Sequence, residues 1–181
     1  IVIAAGAGSF VPRKPPIDNI GEFENTSVFY SVKDKSIFKN KKILITGGGD
    51  SALDWAINLS KDSQVTLLHR RKEFRAAPDS VSKILELEKD KKIKFLIGQI
   101  KNINGHNKII NEIIYTNENN EYSIITDYLL PFFGLKMELG PIANWGLNLD
   151  ENLIKVDTEK FETSVSSIFA IGDINSYPGK L

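Results

Sequence analysis

Residues 41–61 read KKILITGGGDSALDWAINLSK. A lysine pair leads into a short apolar, β-prone run, Ile43–Thr46, which three glycines stop. Beyond them Ala52, Leu53, Ala56, Ile57 and Leu59 recur at helical spacing. Strand, glycine turn and helix are therefore predicted in succession. Residues 64–71, QVTLLHRR, predict a second strand, and 77–92, APDSVSKILELEKDKK, a second helix. Pro78 and Asp79 suit a helix start, and the closing lysines suit the helix dipole. Its predicted core face is Val81, Ile84, Leu85 and Leu87. Residues 93–100, IKFLIGQI, predict a third strand. Such alternation argues for an α/β fold with a parallel sheet covered by helices.

The pattern changes on either side. Residues 99–126 hold short β-prone runs split by NGHN and NENNE, the signature of an antiparallel meander. DYLLPFFG, 127–134, returns as an apolar strand, and NLIKVD and SIFAIGD predict late strands. IVIAAG, 1–6, reads as a short buried strand, and FVPRKPPIDNIGEF, 10–23, as an extended proline-bearing connector.

Composition narrows the chemistry. The 23 basic and 23 acidic side chains cancel, so nothing drives the whole chain toward nucleic acid or an anionic membrane. Any basic site must be local. With no cysteine, the chain itself can form no disulfide, thiolate metal centre, iron–sulfur cluster or Cys-x-x-Cys pair. Its two histidines lie far apart, which argues against a metal site. No apolar run reaches the ~18–20 residues of a membrane-crossing helix. No residue stands out as a catalytic acid, base or nucleophile.

GGGDSA, 47–52, matches G-x-G-x-x-A. Gly47 suits a tight turn, Gly49 a close approach of backbone to a pyrophosphate, and Ala52 close packing of helix on strand. Amides of Gly48, Gly49, Asp50 and Ser51 would donate to phosphate oxygens, aided by the helix dipole. Asp50 and Ser51 also serve as early-helix or cap residues. A glycine loop that merely turns the chain is the competing reading, and the strand–turn–helix context favours a dinucleotide.

In such a unit the second strand ends about 20 residues after the first glycine, where an acidic residue binds the ribose of NAD. His69 lies 22 positions after Gly47, and Arg70, Arg71 and Arg75 follow it. A carboxylate would repel a 2′-phosphate, whereas guanidinium groups pair with it. The alternative is a solvated basic loop. Its place at this strand end favours NADP(H) over NAD(H), with His69 packing near the adenosine and Phe74 in the core or over the loop.

GGGDSALDWA, HRRKEFRAAP and FAIGD together resemble the low-molecular-weight thioredoxin-reductase-like flavoproteins. AAGAGSFVPR and GDINSYPGKL are most similar to the thioredoxin-reductase-type ferredoxin–NADP⁺ reductases within that group. The resemblance implies a Rossmann-like three-layer NADP(H)-binding domain, parallel sheet plus meander, over 12–130. That domain would be inserted into an FAD-binding domain, represented only in part by 1–11 and 131–181. It implies NADP(H) and FAD as cofactors, with Phe10 on the flavin side, Gly134 near the nicotinamide, and Gly172 and Asp173 at the FAD ribityl or phosphate region.

The resemblance further implies ferredoxin or flavodoxin as redox partner, a homodimer, and a cytoplasmic location. Stretches expected before Ile1 and after Leu181 are missing, so a piece of a longer protein is expected, inactive by itself. Thioredoxin reductases carry Cys-x-x-Cys just before the NADPH-binding strand, but FYSVKDKSIFKNKKILI, 29–45, has none. Electrons would then leave the flavin by another route, to a one-electron carrier. Another disulfide-free flavoprotein of this skeleton acting on a small substrate, or an inactive NADP(H)-binding module, are the alternatives.

Overall fold

The structure, a computed structural model, describes residues 1–6 and 8–179. Ala7, Lys180 and Leu181 of the two end motifs lie outside the described residues. Strands β1 (Val2–Ile3) and β2 (Ser9–Pro12) come first, followed by 3-10 turns at Ile20–Phe23 and Ser36–Phe38. Then β3 (Lys42–Thr46), α1 (Asp50–Leu59), β4 (Gln64–His69), α2 (Pro78–Lys89) and β5 (Ile93–Ile97) follow in the predicted alternation. Strands β6 (Gln99–His106), β7 (Ile109–Asn117) and β8 (Asn120–Ile125) form the predicted meander, and β9 is Tyr128–Pro131. The remaining strands are β10 (Leu135–Glu138), β11 (Leu149–Asp150), β12 (Leu153–Lys155), β13 (Phe169–Ala170) and β14 (Asn175–Ser176).

The chain divides into two compact units, Pro12–Gly134 and Ile1–Val11 with Leu135–Leu181. Residues 131–134 stay with the former, past the expected boundary at 130, because backbone bonds hold them there. The Phe132 amide donates to the Thr46 carbonyl at 2.7 Å, and the Arg13 amide to the Gly134 carbonyl at 3.0 Å.

Within Pro12–Gly134 a parallel sheet runs in the order β5-β4-β3-β9. Its side chains alternate between two covered faces. Ile43, Ile45, Val65, Leu67, Ile93 and Leu130 meet Ala52, Leu53, Ala56 and Leu59 of α1 and Ile84 of α2. Leu44, Leu68 and Leu129 point the other way, onto Ile103, Ile110, Ile113 and Tyr115 of the meander. Burial on both faces is why these strands read as apolar runs rather than alternations. Each such side chain contributes about 1.5–3 kcal/mol when fully buried.

The face of α2 differs from expectation. Ile84 is buried, and Val81 and Leu87 pack beside it, but Leu85 is 51% exposed. Positions 81, 84 and 87 share one stripe, and Leu85 lies about 100° round the helix from Ile84.

The other unit pairs β1 with β13, β2 with β10, and orders β11-β12-β14. Its core gathers Ile3, Leu139, Leu147, Ile154, Ala170 and Ile174. The strand expected at 1–6 spans only Val2–Ile3, with Ile3 buried and Val2 63% exposed. The stretch expected as a plain connector opens instead as β2, because β10 supplies a partner. Among the described residues no helix is long and apolar enough to cross a membrane, and no cluster of side chains could hold a metal ion.

Candidate functional site

Strand β3 has parallel neighbours on both sides, β4 and β9, so the glycine turn leaves the middle of the sheet at its carboxyl end. Open α/β sheets bind ligands beyond that end. The three glycines have different reasons to be there. Gly47 has φ +141°, and a Cβ on it would strike the Phe132 carbonyl oxygen and approach the Ala52 methyl to 3.1 Å. A Cβ on Gly48 would enter the His69 ring. A Cβ on Gly49 would meet nothing within 4 Å. The protein therefore closes around the first two glycines and leaves space at the third, the position read as the pyrophosphate approach.

Gly49 is the N-cap of α1, with no side-chain capping bond. Its carbonyl accepts from the amides of Ala52 at 3.0 Å and Leu53 at 3.2 Å. The amides of Asp50 and Ser51 donate to no group among the described residues. Two free N–H groups at the positive end of a helix, beside an open glycine, fit a phosphate group.

Strand β4 ends on His69, whose ring is half-buried against Phe74, with centroids 5.6 Å apart and planes 21° apart. Phe74 in turn packs on Phe95 at 5.0 Å, so it is a core wedge rather than a cover over the loop. Sequence reasoning missed the dependence of Gly48 on His69, since no local pattern shows that a side chain 21 positions on will occupy a glycine's free side.

Arg70, Arg71 and Arg75 are exposed, and none forms an ion pair with the described residues. Burial, opposed by a hydrogen bond to the Glu73 backbone, pushes the His69 imidazole below its ordinary 6.5, and the three arginine charges push it further. The folded chain thus binds a proton at His69 less readily than the unfolded chain. Stability from this source is intact above about pH 6.5 and declines as pH falls from there toward the lowered folded value. Denaturant titrations at pH 7.5 and 5.5 are expected to show that decline, and His69→Phe is expected to reduce it.

The arginine loop is bonded back to the glycine turn. The Arg75 amide donates to the Gly48 carbonyl at 2.7 Å. The Ala77 amide donates to Oδ1 of Asp50, also at 2.7 Å. Asp50 thus caps no amide of its own helix, as expected of an early-helix residue, but reaches the residue just before α2. Ser51 is exposed and Ala52 is buried under the turn.

The remaining candidates lie elsewhere. Gly134 has φ +84° and follows β9. In the other unit, Phe10 lies on β2 and is 57% exposed. Gly172 and Asp173 begin a 3-10 turn, Gly172–Ile174, and line a cleft of about 580 Å³ with Phe161, Ile171, Asn175 and Tyr177. Phe161 and Tyr177 meet edge to face at 5.7 Å, and Phe161 has φ +57°. Neither aromatic was a candidate from sequence, because both reach the cleft only through tertiary packing.

Comparisons with known proteins show the family and the fold. The family described as pyridine nucleotide-disulphide oxidoreductase matches residues 1–180. A protein of Parvibaculum lavamentivorans named ferredoxin–NADP reductase is 58% identical over all of this chain and 53% of its own length. A protein of the same name from Pelagibacter ubique is 53% identical over all of this chain and 54% of its own. The chain spans about half the length of the curated relatives it matches. The crystal structure of Lactococcus lactis thioredoxin reductase in its FR conformation superposes with TM-score 0.76 at 28% identity, over 98% of this chain and 58% of that one. Thioredoxin reductase of T. acidophilum gives 0.75 at 25% identity, over 97% and 57%.

Proposed function

The chain belongs to the pyridine nucleotide-disulphide oxidoreductase family, and from that premise we propose that it is part of a reductase carrying electrons from NADPH through FAD to ferredoxin or flavodoxin. In this reading Pro12–Gly134 holds NADP(H), and the other unit is a portion of the FAD-binding domain. The observation that carries it is the loop after β4. Three unpaired guanidinium groups stand there, on a segment bonded to an open glycine turn.

Each group then has a task. The amides of Asp50 and Ser51 and the dipole of α1 hold the pyrophosphate. Gly49 gives the backbone room to approach it. Arg70, Arg71 and Arg75 pair with the 2′-phosphate through charge-assisted bonds. Neutral His69 braces Gly48 and Phe74 beneath them. Gly134 allows close approach of the nicotinamide. Gly172 and Asp173 hold the ribityl or phosphate part of FAD, and Phe10 lies on its flavin side. When bound, FAD accepts a hydride and releases electrons singly, which is the cofactor's chemistry rather than the protein's.

Ferredoxin as partner is supported by the name shared by relatives more than half identical to this chain. It is supported too by the lack of any cysteine in 29–45 through which a dithiol route could run. A cytoplasmic homodimer completes the reading. The test uses the full-length protein. It is expected to purify yellow, to bleach anaerobically with NADPH, and to reduce cytochrome c only when ferredoxin or flavodoxin is added. A colourless protein, or NADPH oxidation supported by a disulfide and not by either carrier, overturns it.

A further inference from the structure

A carboxylate on the first residue of α1 is poorly placed for a ligand site that must hold phosphates. Asp50 stands beside the amides proposed to take the pyrophosphate, where its charge would repel it. Its bond explains why it is there. Oδ1 accepts the Ala77 amide at 2.7 Å, and two residues back on both segments the Gly48 carbonyl accepts the Arg75 amide at 2.7 Å. Gly48 pairs with Arg75 and Asp50 with Ala77, so turn and loop run side by side on two bonds. The first is backbone to backbone and independent of side-chain identity. The second exists only because residue 50 carries an acceptor. Ala77, at φ −56° and ψ 140°, is also where the loop passes into α2.

We propose that Asp50 is a positioning residue for the 2′-phosphate, acting through Ala77 to hold the arginine loop at a fixed distance from the glycine turn. The inference rests on the 2′-phosphate reading given above. The ligand's pyrophosphate and 2′-phosphate are a fixed number of bonds apart, so the protein must set the matching spacing between turn and loop. Phe74, wedged between His69 and Phe95, anchors the middle of the loop. Asp50 anchors its far end. Without that anchor, Arg75 and the residues leading into α2 gain freedom that ligand binding must remove, and only a ligand with a 2′-phosphate incurs that cost.

The experiment compares adenosine 2′,5′-bisphosphate with 5′-AMP by calorimetry on the full-length protein, with catalysis playing no part in the readout. In Asp50→Ala the bisphosphate is expected to bind about tenfold more weakly, the order expected for a lost charged hydrogen bond, while 5′-AMP, freed of the nearby negative charge, is not weakened. Asp50→Asn keeps an acceptor and is expected to stay within about threefold of the parent. Ala77→Pro removes the donor without touching the turn or its charge, and its φ suits proline. It is expected to reproduce the selective loss, and the double variant to lose no more than either single one.

Equal weakening of both ligands, or Asn behaving as Ala, overturns the positioning role. So does stronger binding of both ligands in Asp50→Ala and Asp50→Asn alike, since Asp50 would then only repel phosphate. Should the parent protein not prefer the bisphosphate, or should Arg70→Ala with Arg71→Ala leave the preference intact, the 2′-phosphate reading itself falls. An intact arginine effect with no Asp50 effect isolates the failure to this inference.

Discussion

Alanine at both Arg70 and Arg71 is expected to weaken NADPH binding to the full-length protein by about 2–4 kcal/mol, with NADH affinity changed less than about twofold. The size follows from about 1.5–3 kcal/mol per charge-assisted hydrogen bond, summed over two exposed guanidinium groups and reduced for solvent screening. The asymmetry follows from chemistry: NADH lacks the 2′-phosphate, so it never made those bonds. Fluorescence titration with each nucleotide measures both numbers. Raising salt is expected to narrow the gap between parent and variant, since the partners are exposed. Lysine at the same positions is expected to restore only part of the loss, because an ammonium cannot present a planar two-point fork. Equal losses for both nucleotides would remove the 2′-phosphate assignment.

Substitutions at Gly47 and Gly49, only two residues apart, are expected to fail in opposite ways. Gly47→Ala meets the Phe132 carbonyl oxygen and must hold an L side chain at φ +141°. Strain of about 1–3 kcal/mol together with overpacking of similar size predicts a fold destabilised by about 2–5 kcal/mol. Gly49→Val has extended backbone, φ −101° and ψ 179°, and open space at its Cβ. It is expected to cost the fold no more than about 1–2 kcal/mol, mostly through the weaker N-cap. Its side chain fills the pyrophosphate approach, so NADPH and NADH affinity should both fall by two orders of magnitude or more, a loss of roughly 3 kcal/mol. Chemical denaturation and nucleotide titration on both variants separate the two failures. Unchanged nucleotide binding in a folded Gly49→Val protein would show that the ligand does not approach the backbone there.

The contrast between these glycines marks where sequence reading stops. G-x-G-x-x-A and the strand–turn–helix context picked out 47–52, because turn chemistry and helical periodicity act over a few residues. The same holds for the meander at 99–126 and for the arginines, whose spacing from Gly47 could be counted. The exposure of Leu85 escaped the reading because an apolar residue at a stripe's margin looks the same whether or not a neighbour covers it. Gly48 was read only as an amide donor to phosphate, and the His69 ring in the place of its side chain became visible only in the fold. Asp50 looked like a helix cap until its partner proved to be Ala77. Residues 131–134 closed the strand read at 127–134, which ends at Pro131, and only the bonds from Phe132 to Thr46 and from Arg13 to Gly134 settled which unit they join.

By itself, then, the sequence determined the alternation of strands and helices, the place of the glycine turn, and the basic loop at the end of β4, since each follows from periodicity and spacing along the chain. Tertiary structure alone decided which glycine stays open to a ligand, which acidic side chain ties turn to loop, and which aromatic rings line the cleft beside Asp173. Those depend on hydrogen bonds and excluded volume between residues distant in sequence, and such contacts leave no local pattern to read.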